Sequence, residues 1–322
     1  QRREIASDLL TPVETTIPIR EKLAIIQAES LDFNVLGLEI GGQEVTPFLN
    51  RLRERSLFYR IAAARDTGSA DADFIMLAGV MPSPHINTYN IRSYPYRNTL
   101  PQFLKQFGYN TALFHGNTGN FYSRRGAFEK MGFSEVHFLE EMLADSVPPC
   151  PWGIEDRQVL EYSSQLLREA SGPTCHFVIT MSTHTPYRLL RSVESEVVPH
   201  PKTMADDYFN NMRYLDSRFR DYIGSLGAAT VVIYSDHPAD AELSPEFVPD
   251  CESQRGHVPC WIFDTEADLG ALQRTRDQRM ATDGGLTLLD VSSFLRGHIA
   301  AGNGPSPLPV LDRGGCELAS DR

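Results

Sequence analysis

Apolar residues along the chain fall into short unbroken runs separated by longer stretches of helical spacing. Leu23 to Ala28 is the first run, closed by Glu29, and it reads as a buried strand. Thr46-Pro47 opens a helical pattern with Phe48, Leu49 and Leu52 on one face and proline in the first turn. Leu57 to Ile61 reads as a second strand. Thr99 to Phe107 is a helix entered through Thr-Leu-Pro and stopped by Gly108, and Asn110 to His115 follows as a strand. Glu155 to Ala170 has helical periodicity, and Cys175 to Met181 is a strongly apolar strand. Ala205 to Leu226 is a long amphipathic helix, with Tyr208, Met212, Leu215, Phe219 and Ile223 near one face. Ala229 to Tyr234 and Cys260 to Phe263 add two strands, and Leu288 to Ile299 is the last helix. Beyond Gly302 the chain is rich in Gly, Pro and Ser and reads as extended. This alternation predicts an α/β fold, a mostly parallel central sheet flanked by helices on both faces. Residues 1–22 read as a lead-in, 23–302 as one α/β domain and 303–322 as a tail.

With 322 residues, 41% of them hydrophobic and 22% charged, the chain is long enough to bury a full core. Its formal net charge of −12 argues against nucleic acid as a partner, because counterion release needs clustered cations. An anionic substrate would need local help from a metal or an inward-facing arginine. No apolar run reaches the ~18–20 residues of a membrane span. The polar start Gln1-Arg2-Arg3-Glu4 reads as a chain trimmed at its N-terminus. Cys150, Cys175, Cys251, Cys260 and Cys316 contain no CxxC pair, which argues against structural zinc. Cys251 and Cys260 are close enough to pair across a loop, or to remain free thiols.

Polar residues stand directly behind the strand runs. Glu29 follows the first, His115 closes another, Ser182-Thr183-His184 follow Cys175 to Met181, and Asp236-His237 follow Ala229 to Ser235. Ligands of open parallel sheets bind beyond the carboxyl ends of the strands, so four strands would bring Glu, His, His and Asp-His to one edge. Carboxylate with imidazole suits Zn²⁺ or Mn²⁺ better than Ca²⁺. A metal beside a hydroxyl would make it a nucleophile. Ser69, in the small-residue turn Asp66-Thr67-Gly68-Ser69-Ala70-Asp71, is the candidate, placed where a helix N-terminus favours phosphate. Taken singly, each of these residues reads as a helix cap, a solvated turn or a packed histidine. Their joint placement at one edge carries the functional reading.

The same residues resemble a known family, the lipoteichoic-acid-synthase branch of the alkaline phosphatase superfamily. Glu29-Ser30-Leu31 resembles its metal-binding glutamate motif, and Glu44 to Asn50 the segment that follows. Thr67 to Phe74 resembles its nucleophile segment. Phe114-His115-Gly116-Asn117 with Phe121-Tyr122-Ser123-Arg124 resembles its substrate-binding stretch, and Trp152 to Asp156 a further landmark. Ser182 to Tyr187 and Ser235-Asp236-His237 complete an ordered series over roughly Leu23 to Phe263. The resemblance implies an alkaline phosphatase/sulfatase-like fold and one divalent metal, Mn²⁺ first and Zn²⁺ or Mg²⁺ as alternatives. Glu29, Ser69, Asp236 and His237 would bind it. Ser69 would also be the nucleophile. Arg124 and His184 would hold the phosphate or glycerol part of a phospholipid donor, with His115, Asn117 and Tyr122 lining the pocket. The acceptor would be a glycan or glycolipid outside the cytoplasm. The parent protein would be anchored in the membrane by a segment absent from this chain.

Three positions depart from the family pattern. Ser69 stands for a usual Thr, Asn117 for Asp and Tyr122 for Trp, and the last two fall in the head-group pocket. His257, in Gly256-His257-Val258-Pro259, resembles a segment of phosphoethanolamine transferases, so phosphoethanolamine transfer is one alternative, and a loop histidine is the plainer account. A hydrolase or phosphodiesterase is another. A sulfate-ester hydrolase is set aside, because Ser69 is followed by Ala70-Asp71-Ala72-Asp73 without the Pro and Arg of the sulfatase signature. A non-catalytic sensor or glycan-binding module is disfavoured by the intact set of metal ligands.

Overall fold

The computed structural model describes residues 19–63, 66–142, 152–187, 196–240, 243, 256–270 and 286–303. The first half of the chain forms β1 (Lys22–Ala28), β2 (Glu39–Ile40), β3 (Gln43–Glu44), α1 (Pro47–Arg55), β4 (Leu57–Ala62), α2 (Ala70–Ala78), α3 (Leu100–Gln106) and β5 (Asn110–His115). It continues through α4 (Arg124–Met131), β6 (Glu135–His137), α5 (Leu139–Met142), α6 (Asp156–Glu169), β7 (Thr174–Ile179) and α7 (Met204–Ser225). The last elements are β8 (Thr230–Ser235), β9 (His257–Asp264), β10 (Leu286–Thr287) and α8 (Leu288–His298).

One eight-stranded sheet, in the order β10-β4-β9-β8-β1-β7-β5-β6, runs through the molecule. Every pairing is parallel except those of β9, which is antiparallel to both β8 and β4. The mostly parallel expectation therefore holds. Interior strands are apolar on both faces because helices cover both. Alternate residues of β1 and β8 feed two separate cores. Leu23, Ile25, Val232 and Tyr234 point to the layer of α2, α3, α4 and α8. Ala24, Ile26, Val231 and Ile233 point to that of α1, α6 and α7. Local signals set the helix starts. Pro47 begins α1, and Thr99 closes a capping box with Gln102 at the start of α3. Asp216 of α7 accepts from the backbone N–H groups of Phe48 and Leu49 at 3.0 and 2.8 Å, tying α1 to α7.

Ile19 is buried, and Arg20 pairs with Asp264 at 2.6 Å, so the packed body begins slightly before residue 23. Cys260 is a buried free thiol within β9, and Cys251 lies outside the described residues. Among the described residues no helix is long and apolar enough to cross a membrane.

Candidate active site

The parallel neighbours β8, β1, β7 and β5 all end at the same edge, and there the structure gathers the polar residues that follow them. Glu29, Asp236 and His237 are buried, and one ligand atom from each lies within 4.8 Å of the others. His237 Nε2 stands 3.4 Å from Glu29 Oε1 and 3.6 Å from Asp236 Oδ2. Ser69, one residue before α2, points its Oγ into the same cluster, 3.3 Å from His237 Nε2 and 3.5 Å from Glu29 Oε2. The four residues expected to share a metal thus meet.

Backbone geometry explains the convergence. Glu29 is clamped by β7: its N–H donates to Thr180 Oγ1 at 2.9 Å, and its carbonyl accepts from Thr183 Oγ1 at 2.7 Å. Asp236 Oδ1 accepts from the backbone N–H groups of Ser30 and His237, at 2.9 and 2.8 Å. His237 Nδ1 lies 2.7 Å from the carbonyl of Pro238, which fixes its proton on Nδ1 and leaves Nε2 as an electron-pair donor. The turn before Ser69 is stapled by Asp71, which accepts from the N–H groups of Asp66 and Thr67 and from Thr67 Oγ1, at 2.8, 2.6 and 2.8 Å.

Electrostatics agree with a cation site. Burial and the charge of Glu29 push the Asp236 carboxyl up to about 7. Burial would raise Glu29 as well, but His237 beside it holds that carboxyl down at about 2. Burial disfavours charge on His237, yet Asp236 and Glu29 together raise it to about 9. Two buried carboxylates face one imidazole, and Asp236 Oδ2 is buried yet accepts no hydrogen bond from any described residue. An orphaned buried carboxylate oxygen between two further donors is what a divalent cation satisfies.

Beside the cluster lies a second polar group. Arg124 starts α4 and is 1% exposed. Its Nε and Nη2 donate to Asp73 Oδ2 at 3.1 and 2.6 Å, and its Nη1 lies 3.2 Å from His115 Nε2. Tyr89 donates its hydroxyl to the same aspartate. His115 is fully enclosed, with Nδ1 3.1 Å from the Ile179 carbonyl. Burial and the neighbouring Arg124 charge lower its pKa to about 3, so it is a neutral acceptor behind the guanidinium. Asp73, Tyr89 and Arg124 form a buried network of which sequence reasoning found only the arginine. The available signal was Asp73 in the first turn of a helix headed by Ser69.

The remaining expected residues line the mouth. Tyr122 is half-buried, its ring 5.3 Å from the Arg124 guanidinium, and its hydroxyl lies over Gly68. Gly68 has φ +134°, and a Cβ there would sit 2.6 Å from that hydroxyl, so only glycine lets the two approach. His184, also half-buried, packs on Trp152 with ring centroids 4.5 Å apart, and its Nδ1 faces the Thr185 carbonyl at 2.8 Å. Trp152 is brought in because Gly153, at φ +134°, lets its neighbour Ile154 bond the Gly116 carbonyl at 2.9 Å. Asn117 is buried, its Nδ2 3.3 Å from Met181 Sδ. His257 opens β9 at the same sheet edge, three residues before Cys260, which pairs with Tyr234 of β8. It lies outside the three-residue metal cluster, and its Nδ1 is buried without a hydrogen-bond partner among the described residues.

Known proteins are similar to this chain in sequence and in fold. Lipoteichoic acid synthase 2 of Bacillus subtilis is 26% identical over 223 residues, 66% of this chain and 34% of that protein. The match spans about a third of the length of that relative. Among solved structures, the lipoteichoic acid synthase LtaP from Listeria monocytogenes superposes with a TM-score of 0.67 at 21% identity, covering 80% of this chain and 70% of that one. The Streptococcus pyogenes phosphoglycerol transferase GacH, in complex with sn-glycerol-1-phosphate, gives 0.64 at 16% identity over 92% and 87%. Both share the fold. A family model described as Sulfatase matches residues 23–260, and the chain belongs to that family.

Proposed function

We propose that this domain is a metal-dependent phosphoglycerol transferase. It moves the head group of a membrane phospholipid such as phosphatidylglycerol, through a covalent intermediate on Ser69, to a glycan or glycolipid hydroxyl. The observation that carries the reading is Ser69 Oγ held 3.3 Å from His237 Nε2, beside the paired carboxylates of Glu29 and Asp236. The name of the family does not imply sulfate chemistry here, because Ser69 lacks the Pro and Arg that sulfatases place behind their nucleophile.

Glu29, Asp236, His237 and Ser69 would hold one divalent cation, Mn²⁺ by preference, with Zn²⁺ and Mg²⁺ as alternatives. When bound, that ion supplies Lewis acidity toward the phosphoryl oxygens and favours ionisation of the serine hydroxyl. Ser69 Oγ attacks phosphorus, the bond from phosphorus to the diacylglycerol oxygen breaks, and the hydroxyl proton passes to the leaving oxygen. His184, whose Nδ1 lies 2.8 Å from the Thr185 carbonyl, would carry that proton or position the phosphate. In the second step an acceptor hydroxyl takes the group and Ser69 Oγ regains a proton. Arg124 would steady the phosphate with the N–H groups that Asp73 and His115 leave over. Asn117 and Tyr122 would shape the head-group pocket. The site would work at the outer face of the cytoplasmic membrane.

A second reading, phosphoethanolamine transfer, is favoured by His257, whose buried Nδ1 has no hydrogen-bond partner among the described residues. Intact-mass measurement after incubation with Mn²⁺ and each lipid separates the two. A phosphoglycerol adduct on the wild type, absent from Ser69→Ala, is the expected result. An adduct from phosphatidylethanolamine alone moves the donor, and full turnover by Ser69→Ala sinks the mechanism.

A further inference from the structure

Three of the five exposed large apolar side chains among the described residues fall within one short stretch. They are Val80, Met81 and Ile86, at 47, 59 and 47% exposure. The stretch leaves the C-terminal end of α2, the helix that Ser69 heads, and turns back toward the mouth of the site. His85 N–H donates to Asp66 Oδ2 at 3.0 Å, three residues before Ser69. Asn90 Oδ1 accepts from Ser123 Oγ at 2.9 Å, next to Tyr122. Apolar side chains are thus held in water beside a candidate catalytic mouth.

Charge along the chain points to the same place. From Phe74 to Phe128 there is no Asp or Glu, although the whole protein has 42. The same stretch carries Arg92, Arg97, Lys105, Arg124 and Arg125. Arg92 and Arg97 are exposed and form no ion pair with any described residue, whereas Arg125 is neutralised by Glu140 and Glu141. A chain of net charge −12 is repelled by an anionic bilayer over most of its surface. The stretch that carries these apolar side chains adds no acid of its own, and the carboxylate that stands beside it, Asp66, is engaged by the His85 N–H. Exposed Val, Met and Ile, followed in the chain by two exposed arginines that form no ion pair among the described residues, match the chemistry of an anionic lipid interface, apolar groups entering the acyl boundary and cations resting among phosphates.

We infer that the Val80–Ile86 segment, with Arg92 and Arg97, is a docking lip that seats the mouth of the site on an anionic phospholipid surface. The inference rests on the lipid-donor reading for its choice of lipid, but it concerns binding and needs no turnover. Docking of this kind would present head groups at the edge where Tyr122 and Ser69 stand, without extracting a lipid into solution.

The test is flotation of the chain with phosphatidylglycerol vesicles and, separately, phosphatidylcholine vesicles. Wild type and Ser69→Ala are expected to float equally with phosphatidylglycerol. The triple variant Val80→Asp, Met81→Asp, Ile86→Asp should bind about tenfold or more weakly. Arg92→Glu with Arg97→Glu should lose at least about tenfold on phosphatidylglycerol, and the loss should shrink in high salt. The triple variant should keep its melting temperature, and should keep wild-type turnover on monomeric short-chain phosphatidylglycerol. Wild type that fails to float, or a triple variant that floats like wild type, overturns the proposal. So does a wild-type dimer that the three substitutions disperse without any vesicle binding, because the face would then belong to a second copy. Lip-dependent flotation with no Ser69 adduct would leave the docking intact and remove the transfer reaction.

Discussion

Asp73→Leu is the substitution whose consequences the structure specifies most fully. Asp73 and Arg124 are 0 and 1% exposed at their side chains and meet at 2.6 Å. Burial pushes the Asp73 carboxyl above its ordinary range, and the Arg124 charge limits the rise. Removing the aspartate leaves an enclosed guanidinium beside a neutral imidazole and the Tyr122 ring with no carboxylate to pair it, and breaking a buried pair in this way costs about 3–5 kcal/mol. For a domain of this size that is a fall of about 6–15 °C in melting temperature. Replacing both partners, Asp73→Leu with Arg124→Met, removes the uncompensated charge and should recover more than half of the loss. Recovery stays incomplete because His115 Nε2 and the Tyr89 hydroxyl each lose a partner. Phosphoglycerol release should be lowered about a hundredfold or more in both variants, since the single variant leaves the guanidinium without the aspartate that fixes its direction and the double variant removes it. Urea unfolding of the four proteins of the cycle, run beside an activity assay, measures both quantities. A single variant within about 1 kcal/mol of wild type would refute the buried-pair account. A double variant that regains turnover would remove Arg124 from the substrate site.

Metal-free Asp236→Asn should be more stable than metal-free wild type by about 1 kcal/mol, because it relieves repulsion between two buried carboxylates. Its melting temperature should no longer rise with Mn²⁺, and a less stable metal-free variant would contradict the cation site. Gly68→Ala places a Cβ against the Tyr122 hydroxyl and strains a backbone at φ +134°. It should cost about 1–3 kcal/mol and lower turnover by displacing Ser69, with partial relief from Tyr122→Phe in the same chain. Burial, with a smaller contribution from His137, holds His176 down at about 3, against an ordinary value of 6.5. The unfolded chain therefore takes up a proton below pH 6.5 that the folded chain refuses, so stability is full above that pH and falls as pH drops toward 3. At about pH 5.5 this group should account for about 1.4 kcal/mol of the loss, and His176→Gln should flatten that part of the urea midpoint's pH dependence.

The sheet was legible because a strand buried on both faces writes itself as an unbroken apolar run. Leu23 to Ala28 and Cys175 to Ile179 lie inside β1 and β7, which are almost wholly buried. The polar edge was legible for the same reason, since Glu29, His184, Asp236 and His237 stand where those runs stop. Direction was not. The run Cys260 to Phe263 is equally apolar read either way, and nothing in it shows that β9 lies antiparallel to β8. The extent of α2 was hidden too. All nine of its residues except Ala78 are buried, Asp71 and Asp73 among them, so it has no polar face to mark a helical period.

Asp73 shows why the network behind the site escaped notice. In the chain it is the second acid in the first turn of α2, indistinguishable from the helix-start residue that Asp71 also is. What separates them is the third dimension. Asp71 bonds back to Asp66 and Thr67, five and four residues away, whereas Asp73 reaches Arg124 and Tyr89, fifty-one and sixteen residues away. A capping interaction is local and can be read from spacing, but a buried ion pair is set by how two helices pack and leaves no period behind it. The pairing also alters what Arg124 can do. A guanidinium held by Asp73, His115 and the ring of Tyr122 has few rotamers left to lose when a phosphate arrives. Its charge is already shared with the aspartate, so its contribution would be fixed direction more than raw attraction, and a cation held by Glu29, Asp236 and His237 would be left to neutralise the phosphoryl group.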